Sequence, residues 1–273
     1  LEGPDKNRGM SELVEVMHGE PPEKTQVIAS WVPVALSGDL PDAGVMRALV
    51  EGDQPLDLVV WRSRSGKISA FDNRCPHRGM RLSFGFVRGE HLSCIYHGWQ
   101  YGADGGCRHI PAHPDMTPPA SICASTYPCQ EHDGVIWLSR TDTTQPDLPS
   151  FGGTGLRSLS VNADENLLRE MLMDTSVPIA AAGQAVWAEA SVIAENQTTL
   201  VLQAKSGAAT LQVMIHFQKR ADDKTLLHIQ TSPDLSVDQR IAISRWAERF
   251  RWSAENLGTV VNRWDAAARE TRP

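Results

Sequence analysis

The sequence predicts an α+β chain of two units, a small antiparallel β domain followed by an antiparallel sheet packed beneath a long C-terminal helix. Three observations predict it. Short apolar, β-branched runs recur between turn residues in the first half, a Thr-, Pro-, Asp- and Gly-rich stretch interrupts the middle, and the C-terminal part carries an apolar stripe at helical spacing. At 273 residues, 41% of them apolar, the chain can bury one large core or two modest ones.

The elements follow in order. Residues 1–24 form an N-terminal segment, of which 1–9 precede Met10 and are a candidate vector-derived remnant. The β domain is placed at 25–142. Within it, Leu56 to Trp61 and Ile68 to Phe71 predict a hairpin through Ser63-Arg64-Ser65-Gly66, and Val135 to Leu138 predicts a further strand. A linker is expected over 143–156, where Pro146-Asp147-Leu148-Pro149 and Gly152-Gly153 lie. The second unit, 157–273, opens with a helix over 163–174 whose Leu167, Leu168, Met171 and Leu172 share a face, with Pro178 expected to stop it. Strands are predicted over 186–194, 198–204, 210–218 and 225–230. A last helix is predicted over 237–268, with Ser236 as N-cap, Gln239 completing a capping box, and Ile243, Trp246, Phe250, Leu257, Val261 and Trp264 as its stripe.

Charge and cysteine usage exclude several function classes. With 26 basic and 33 acidic residues, a net charge of −7 and no dense Lys/Arg run, the composition argues against nucleic acid or an anionic membrane as partner. The longest apolar run, Val27 to Leu36, is interrupted by Pro33, so no bilayer span is expected. Once two of the five cysteines are assigned to a metal, Cys107, Cys123 and Cys129 cannot close a disulfide framework. A reducing cytoplasm is expected.

The chemistry sits in two short motifs. Cys75-Pro76-His77 is followed, after sixteen residues, by Cys94-Ile95-Tyr96-His97. One Cys-His pair per loop is a Rieske ligand set, in which two thiolates hold one iron of a [2Fe-2S] cluster and two neutral imidazoles the other. Replacing half the thiolates with imidazole lifts the potential to roughly −150 to +300 mV and makes the protein a handler of single electrons. The competing metal is zinc in a Cys2His2 site, but zinc motifs usually pair like ligands, whereas each motif here mixes them. Gly79 and Gly98 fit backbone turning tightly around a cluster.

From Trp31 to about Arg140 the chain resembles the Rieske domain of the ring-hydroxylating and demethylating non-haem iron oxygenases. The resemblance rests on Ser30-Trp31-Val32-Pro33-Val34-Ala35, Asn73-Arg74-Cys75-Pro76-His77-Arg78-Gly79, Cys94-Ile95-Tyr96-His97-Gly98-Trp99-Gln100-Tyr101, Gly105-Gly106-Cys107-Arg108-His109-Ile110-Pro111 and Asp133-Gly134-Val135-Ile136-Trp137-Leu138. Respiratory Rieske proteins carry a third, disulfide-forming Cys in each loop; here Met80 and Tyr96 stand there. The resemblance implies a Rieske-type β domain and then a helix-grip-like sheet with a long C-terminal helix. It implies Cys75, His77, Cys94 and His97 as cluster ligands. Trp99 and Tyr101 are expected to pack around the cluster, and Arg78 and Arg81 to be solvated charges or part of a docking surface for an acidic partner.

Active members of that family pass electrons to a mononuclear iron(II) held by two His and one carboxylate. The resemblance aligns Asp174 with the family's electron-relay Asp, and this places Val177 and Ala182 where the two iron-binding histidines belong. No histidine lies between His132 and His216. His216 and His228, twelve residues apart on predicted strands, are expected to be half-buried residues with satisfied ring nitrogens, and Asp238, Glu248, Glu255 and Asp265 to form a solvated helix face; replacement iron ligands would have to come from these same residues. The expected function is a Rieske component that passes electrons to a partner subunit carrying the iron. Its own mononuclear iron is expected to be absent. Electrons would come from an NAD(P)H-dependent flavin reductase or a ferredoxin, within a hetero-oligomer containing an iron-bearing oxygenase subunit, or in a homotrimer. The alternatives are a complete monooxygenase or demethylase with unfamiliar iron ligands, and a non-catalytic redox-sensing or ligand-binding module.

Overall fold

The computed structural model describes residues 31–140, 148–181, 184–221 and 223–270. The segment expected over 1–24, the first part of the expected linker and Ala182 lie outside the described residues. In the first unit the strands are β1 (Trp31–Leu36), β2 (Val45–Val50), β3 (Leu56–Arg62), β4 (Ile68–Asp72), β5 (Phe86–Arg88), β6 (His91–Ser93), β7 (Gln100–Tyr101), β8 (Cys107–His109), β9 (Thr126–Tyr127), β10 (Cys129–His132) and β11 (Val135–Ser139). They form three sheets ordered β1-β11-β10, β2-β3-β4-β9 and β5-β6-β7-β8. The expected hairpin is there: β3 and β4 pair antiparallel from Leu58↔Asp72 to Arg62↔Ile68. Alternation along these strands feeds two cores. Val60, Ala70, Ile136 and Leu138 build one. Val59, Trp61, Phe71, Leu82, Leu92 and Tyr101 build the other, and Cys75 and Cys94 are buried within it.

The second unit contains β12 (Thr154–Val161), α1 (Glu165–Met173), β13 (Ser176–Ala181), β14 (Gln184–Glu195), β15 (Thr199–Ser206), β16 (Ala209–Ala221), β17 (Lys224–Thr231) and α2 (Val237–Glu270). Its six strands form one antiparallel sheet ordered β12-β17-β16-β15-β14-β13. The period-2 pattern divides the two faces cleanly along β16. Leu211, Val213, Ile215 and Phe217 point into a core shared with Leu168, Ile243, Trp246 and Phe250 of the helices. Fully burying such side chains contributes about 1.5–3 kcal/mol each. The alternate residues, His216 and Gln218 on β16 and His228 and Gln230 on β17, are equally buried but face the first unit.

Three expectations need correction. Pro178 does not stop α1, which ends at Met173; it sits inside β13, an edge strand, where a missing N–H costs no ladder bond. Gln239 completes only half a capping box. Its N–H bonds Ser236 Oγ at 3.2 Å, but its side chain reaches away, donating to Pro178 O at 2.5 Å and tying α2 to that strand. Leu257 is exposed, and the buried stripe runs through the expected Ile243, Trp246 and Phe250 together with Ala247 and Ala254. The side chains of Val261 and Trp264 lie outside the described residues. Among the described residues no helix is long and apolar enough to cross a membrane.

Candidate metal centre

The two motif loops are built alike. In the first, which follows β4, the Cys75 N–H donates to Met80 O at 2.8 Å and the Gly79 N–H returns to Cys75 O at 2.9 Å. In the second, which joins β6 to β7, the Cys94 N–H donates to Trp99 O at 2.9 Å and the Gly98 N–H to Cys94 O at 3.0 Å. Gly79 and Gly98 stand at φ +74° and +69°, the left-handed region that strains any residue with a Cβ. Asn73 anchors the first loop, accepting from Ser83 N–H at 2.7 Å and donating to Asp57 Oδ1 at 3.0 Å. The Arg47 guanidinium bonded to Asp57 holds that carboxyl below the usual carboxylate range.

These turns send the Cys75 and Cys94 thiols inward and leave His77 half-buried and His97 exposed. The two imidazoles lie 4.6 Å apart, centroid to centroid. His77 stacks flat on Trp99 at 4.0 Å and 6°, and Tyr96 covers His97 at 4.0 Å. Burial lowers the His77 pKa, with His97 and Arg78 adding to the effect, so the ring is held in the neutral, metal-ligating form. Burial pushes the Cys94 thiol up, against the amides of Tyr96 and His97, and the neighbouring Cys75 adds to the rise. A thiol in that setting gives up its proton to a coordinating metal rather than to solvent.

The donor set fits a dinuclear cluster. Two thiols pair on the inner side and two imidazoles on the outer side, while among the described residues no three His, Cys, Asp or Glu converge where one ion could sit. A zinc ion would need all four donors within about 2.0–2.3 Å of one point. Tyr101, expected only to pack, has a second role. Its hydroxyl lies 3.0 Å from Cys75 Sγ, and burial, together with that bond, raises its pKa, so it stays a donor. The partner is 26 residues away in sequence, and no local pattern announces it.

Residues 30–128 match the Rieske [2Fe-2S] domain. The oxidoreductase NdmD of Pseudomonas putida is 33% identical over 217 residues, covering 74% of this chain and 35% of that protein. The 3-chlorobenzoate-3,4-dioxygenase oxygenase subunit of Comamonas testosteroni is 37% identical over 122 residues, covering 44% of this chain and 28% of that protein. The chain is a homologue of the Rieske non-haem iron oxygenases. It spans about a third or less of the length of these two curated Rieske relatives. The apo dicamba monooxygenase crystal structure shares the fold, with a TM-score of 0.68 over 89% of each chain at 19% identity.

The residues that the sequence resemblance placed at the family's iron site lie as follows. Asp174 is exposed and caps the C-terminus of α1. Val177 is wholly buried in the apolar core, opposite Ala188 across the β13-β14 ladder. His216 and His228 do face one another across β16 and β17, but all four ring nitrogens are engaged. His216 bonds Thr199 Oγ1 at 2.9 Å and Gln230 Oε1 at 2.8 Å. The Gln230 amide donates to Asp133 O at 2.7 Å, which turns its Oε1 toward His216 and puts the imidazole hydrogen on Nε2. His228 bonds Ser158 Oγ at 2.9 Å and Gln218 Oε1 at 3.3 Å, and Gln218 in turn donates to Leu49 O at 2.8 Å. The pair therefore joins the sheet to the β domain. The two H-x-Q triplets, His216-Phe217-Gln218 and His228-Ile229-Gln230, were the available sequence signal. Burial lowers the pKa of both, His228 to about 3. The candidate carboxylates are occupied too: Glu248 pairs with Arg157 and Arg251, and Glu255 with Arg251. Asp238 is exposed, and the Asp265 side chain lies outside the described residues.

Proposed function

We propose that this chain is a Rieske electron-transfer component of an oxygenase system, delivering electrons to a partner subunit that carries the mononuclear iron. Cys75 and Cys94 hold one iron and His77 and His97 the other. When bound, the cluster stores and releases one electron at a potential set by its mixed ligands. The loops exclude water from the thiol side, Tyr101 donates a hydrogen bond to Cys75 Sγ, and Trp99 fixes the plane of His77. The exposed imidazole edge of His97 is the side from which a partner gains access.

The observation that carries this reading is Val177. The position aligned with the family's first iron-binding histidine holds an apolar side chain with no exposed surface, packed in the second unit's core. A complete oxygenase built on His216 and His228 would have to break four hydrogen bonds, three of them buried and one partly so. Electrons are expected from an NAD(P)H-dependent flavin reductase or a ferredoxin, in a reducing cytoplasm that keeps Cys107, Cys123 and Cys129 as thiols. A hetero-oligomer with an iron-bearing subunit completes the pathway. The test is an anaerobic redox titration of the reduced protein followed by nitric oxide addition. One electron per protomer and no high-spin ferrous nitrosyl signal supports the component reading, whereas a stoichiometric nitrosyl signal would place an oxygen-activating iron in this chain.

A further inference from the structure

The two histidines of the seam between the units differ in one respect: the hydrogen-bond chain through His228 ends on a carboxylate. Around His216 every bond closes with a neutral ring. The Gln230 amide donates to Asp133 O, so the ring hydrogen on Nε2 goes to Gln230 Oε1 and the Thr199 hydroxyl donates to Nδ1. His228 repeats the pattern one strand away. Gln218 donates its amide to Leu49 O, which turns its Oε1 toward the ring and requires a hydrogen on His228 Nε2.

On the other side of the ring, Ser158 Oγ lies 2.9 Å from His228 Nδ1 and 2.7 Å from Asp39 Oδ2. A hydroxyl has one hydrogen to give. If Ser158 gives it to Nδ1, an ionised Asp39 faces the hydroxyl oxygen with no hydrogen between them. If Ser158 gives it to Asp39, Nδ1 needs a hydrogen of its own and the ring becomes a cation. The bonds at Asp39, Nδ1 and Nε2 therefore close together only when the chain holds one proton more than an ionised Asp39 and a neutral His228 supply. Burial, His216 and Arg220, the last two on β16, disfavour charge on the His228 ring, which leaves that proton at the Asp39–Ser158 contact. Arg220 in turn faces Glu51 and Arg47 from β2 and its turn, Asp133 acts on His216, and Arg157 of β12 is committed to Glu248. The strands β1 and β11, which also pack here, carry no titratable side chain.

We propose that Asp39, Ser158 and His228 form a proton-operated clasp between the two units. Taking up one proton from solvent closes the Asp39–Ser158 contact; releasing it leaves the Ser158 hydroxyl on His228 Nδ1 and opens that contact. Asp39 is exposed to solvent at the end of the short 3-10 turn after β1, Ser37–Asp39. Ser158 lies on β12, an edge strand of the second unit's sheet, so the clasp crosses the rim of the seam. The inner ties, Gln218 to Leu49 O and Gln230 to Asp133 O, do not depend on that proton. Acid thus tightens the rim of a seam whose centre stays fixed.

The experiment uses the full chain with its cluster assembled. Asp39→Ala removes the contact, whereas Asp39→Asn offers Ser158 an amide hydrogen at every pH. Urea unfolding of the parent and both variants is compared at about pH 5 and about pH 8; titrations common to the proteins cancel in differences taken at one pH. Unfolded Asp39 is ionised above about pH 4, so a proton bound only by the folded clasp stabilises more at the lower pH, and the effect fades as the pH rises. The parent's unfolding constant should lie about fivefold below that of Asp39→Ala at the lower pH, the size of one net hydrogen bond, and match it at the higher. Asp39→Asn should lie about fivefold below Asp39→Ala at both, and in a Ser158→Ala background the differences should vanish. Amide exchange of residues 37–40, corrected for its intrinsic pH dependence, should slow in the parent on acidification and be slow at both pH values in Asp39→Asn. An Asp39→Ala effect of equal size at both pH values, or none at either, would overturn the proposal.

Discussion

Removing the hydroxyl of Tyr101 should lower the potential of the cluster without disturbing the fold around it. The side chain is wholly buried and belongs to the core beneath the two loops, so Tyr101→Phe keeps the ring and deletes only the donor 3.0 Å from Cys75 Sγ. A hydrogen bond to a charged acceptor is worth about 1.5–3 kcal/mol. The sulfur is anionic in both redox states, so only the strengthening of that bond on reduction enters the potential, about 1–1.5 kcal/mol. For one electron, 1.4 kcal/mol corresponds to 59 mV, which gives a shift of about 40–60 mV. The sign follows from charge: the donor favours the more negative, reduced state, so its loss makes the potential lower. The assay is a dye-mediated potentiometric titration monitored by circular dichroism, with cluster content checked by iron analysis. A potential unchanged within error, or shifted upward, would refute the reasoning that this hydroxyl tunes the ligand sulfur.

Three further outcomes follow from the same geometry. His228, with a folded pKa of about 3, and His216, also lowered, are neutral in the fold but take up a proton when unfolded below pH ~6.5; stability should therefore be fully present above about pH 6.5 and fall as the pH drops below it, for His228 down to about pH 3, by up to ~1.4 kcal/mol per pH unit for each. Urea unfolding across that range checks it, and His228→Gln should flatten the slope. Gly98→Ala forces a Cβ into a φ of +69° and to 3.0 Å from Pro111 Cγ; thermal unfolding should show a loss of about 1–2 kcal/mol, and cluster content after purification should drop. Val177→His should not create an iron site: an imidazole with no partner in the apolar core should destabilise the second unit by about 2 kcal/mol or more, with bound iron unchanged by metal analysis.

The parts of the fold that were legible in the sequence are those set by local pattern. The β14 to β17 strands announce themselves through alternation, and α2 through its spacing and Ser236. The loops of Cys75 and Cys94 are legible because metal chemistry ties particular residue types to a short spacing, with Gly79 and Gly98 as the turn signal. What stayed hidden depends on distant partners. Pro178 signals a helix stop in any local reading, yet an edge strand accommodates it, and only the sheet order reveals the edge. Gln239 matches a capping box, but the carbonyl of Pro178 competes successfully for its side chain. Tyr101 resembles any buried aromatic until the first loop folds back onto its hydroxyl. That the ring nitrogens of His216 and His228 are satisfied was expected of strand histidines, but their partners were hidden, because each glutamine sits diagonally on the neighbouring strand and is held by a backbone carbonyl of the other unit.

The central claim, a Rieske centre in a chain without an oxygen-activating iron, is tested most directly by counting iron and acid-labile sulfide per protomer in anaerobically purified protein, with the reduced cluster's EPR signal as the measure of occupancy. The account predicts two irons and two sulfides, a count unaffected by His216→Ala and abolished by Cys75→Ser. A third iron, bound stoichiometrically and lost on replacing His216 or His228, would contradict it and make this chain an oxygenase in its own right.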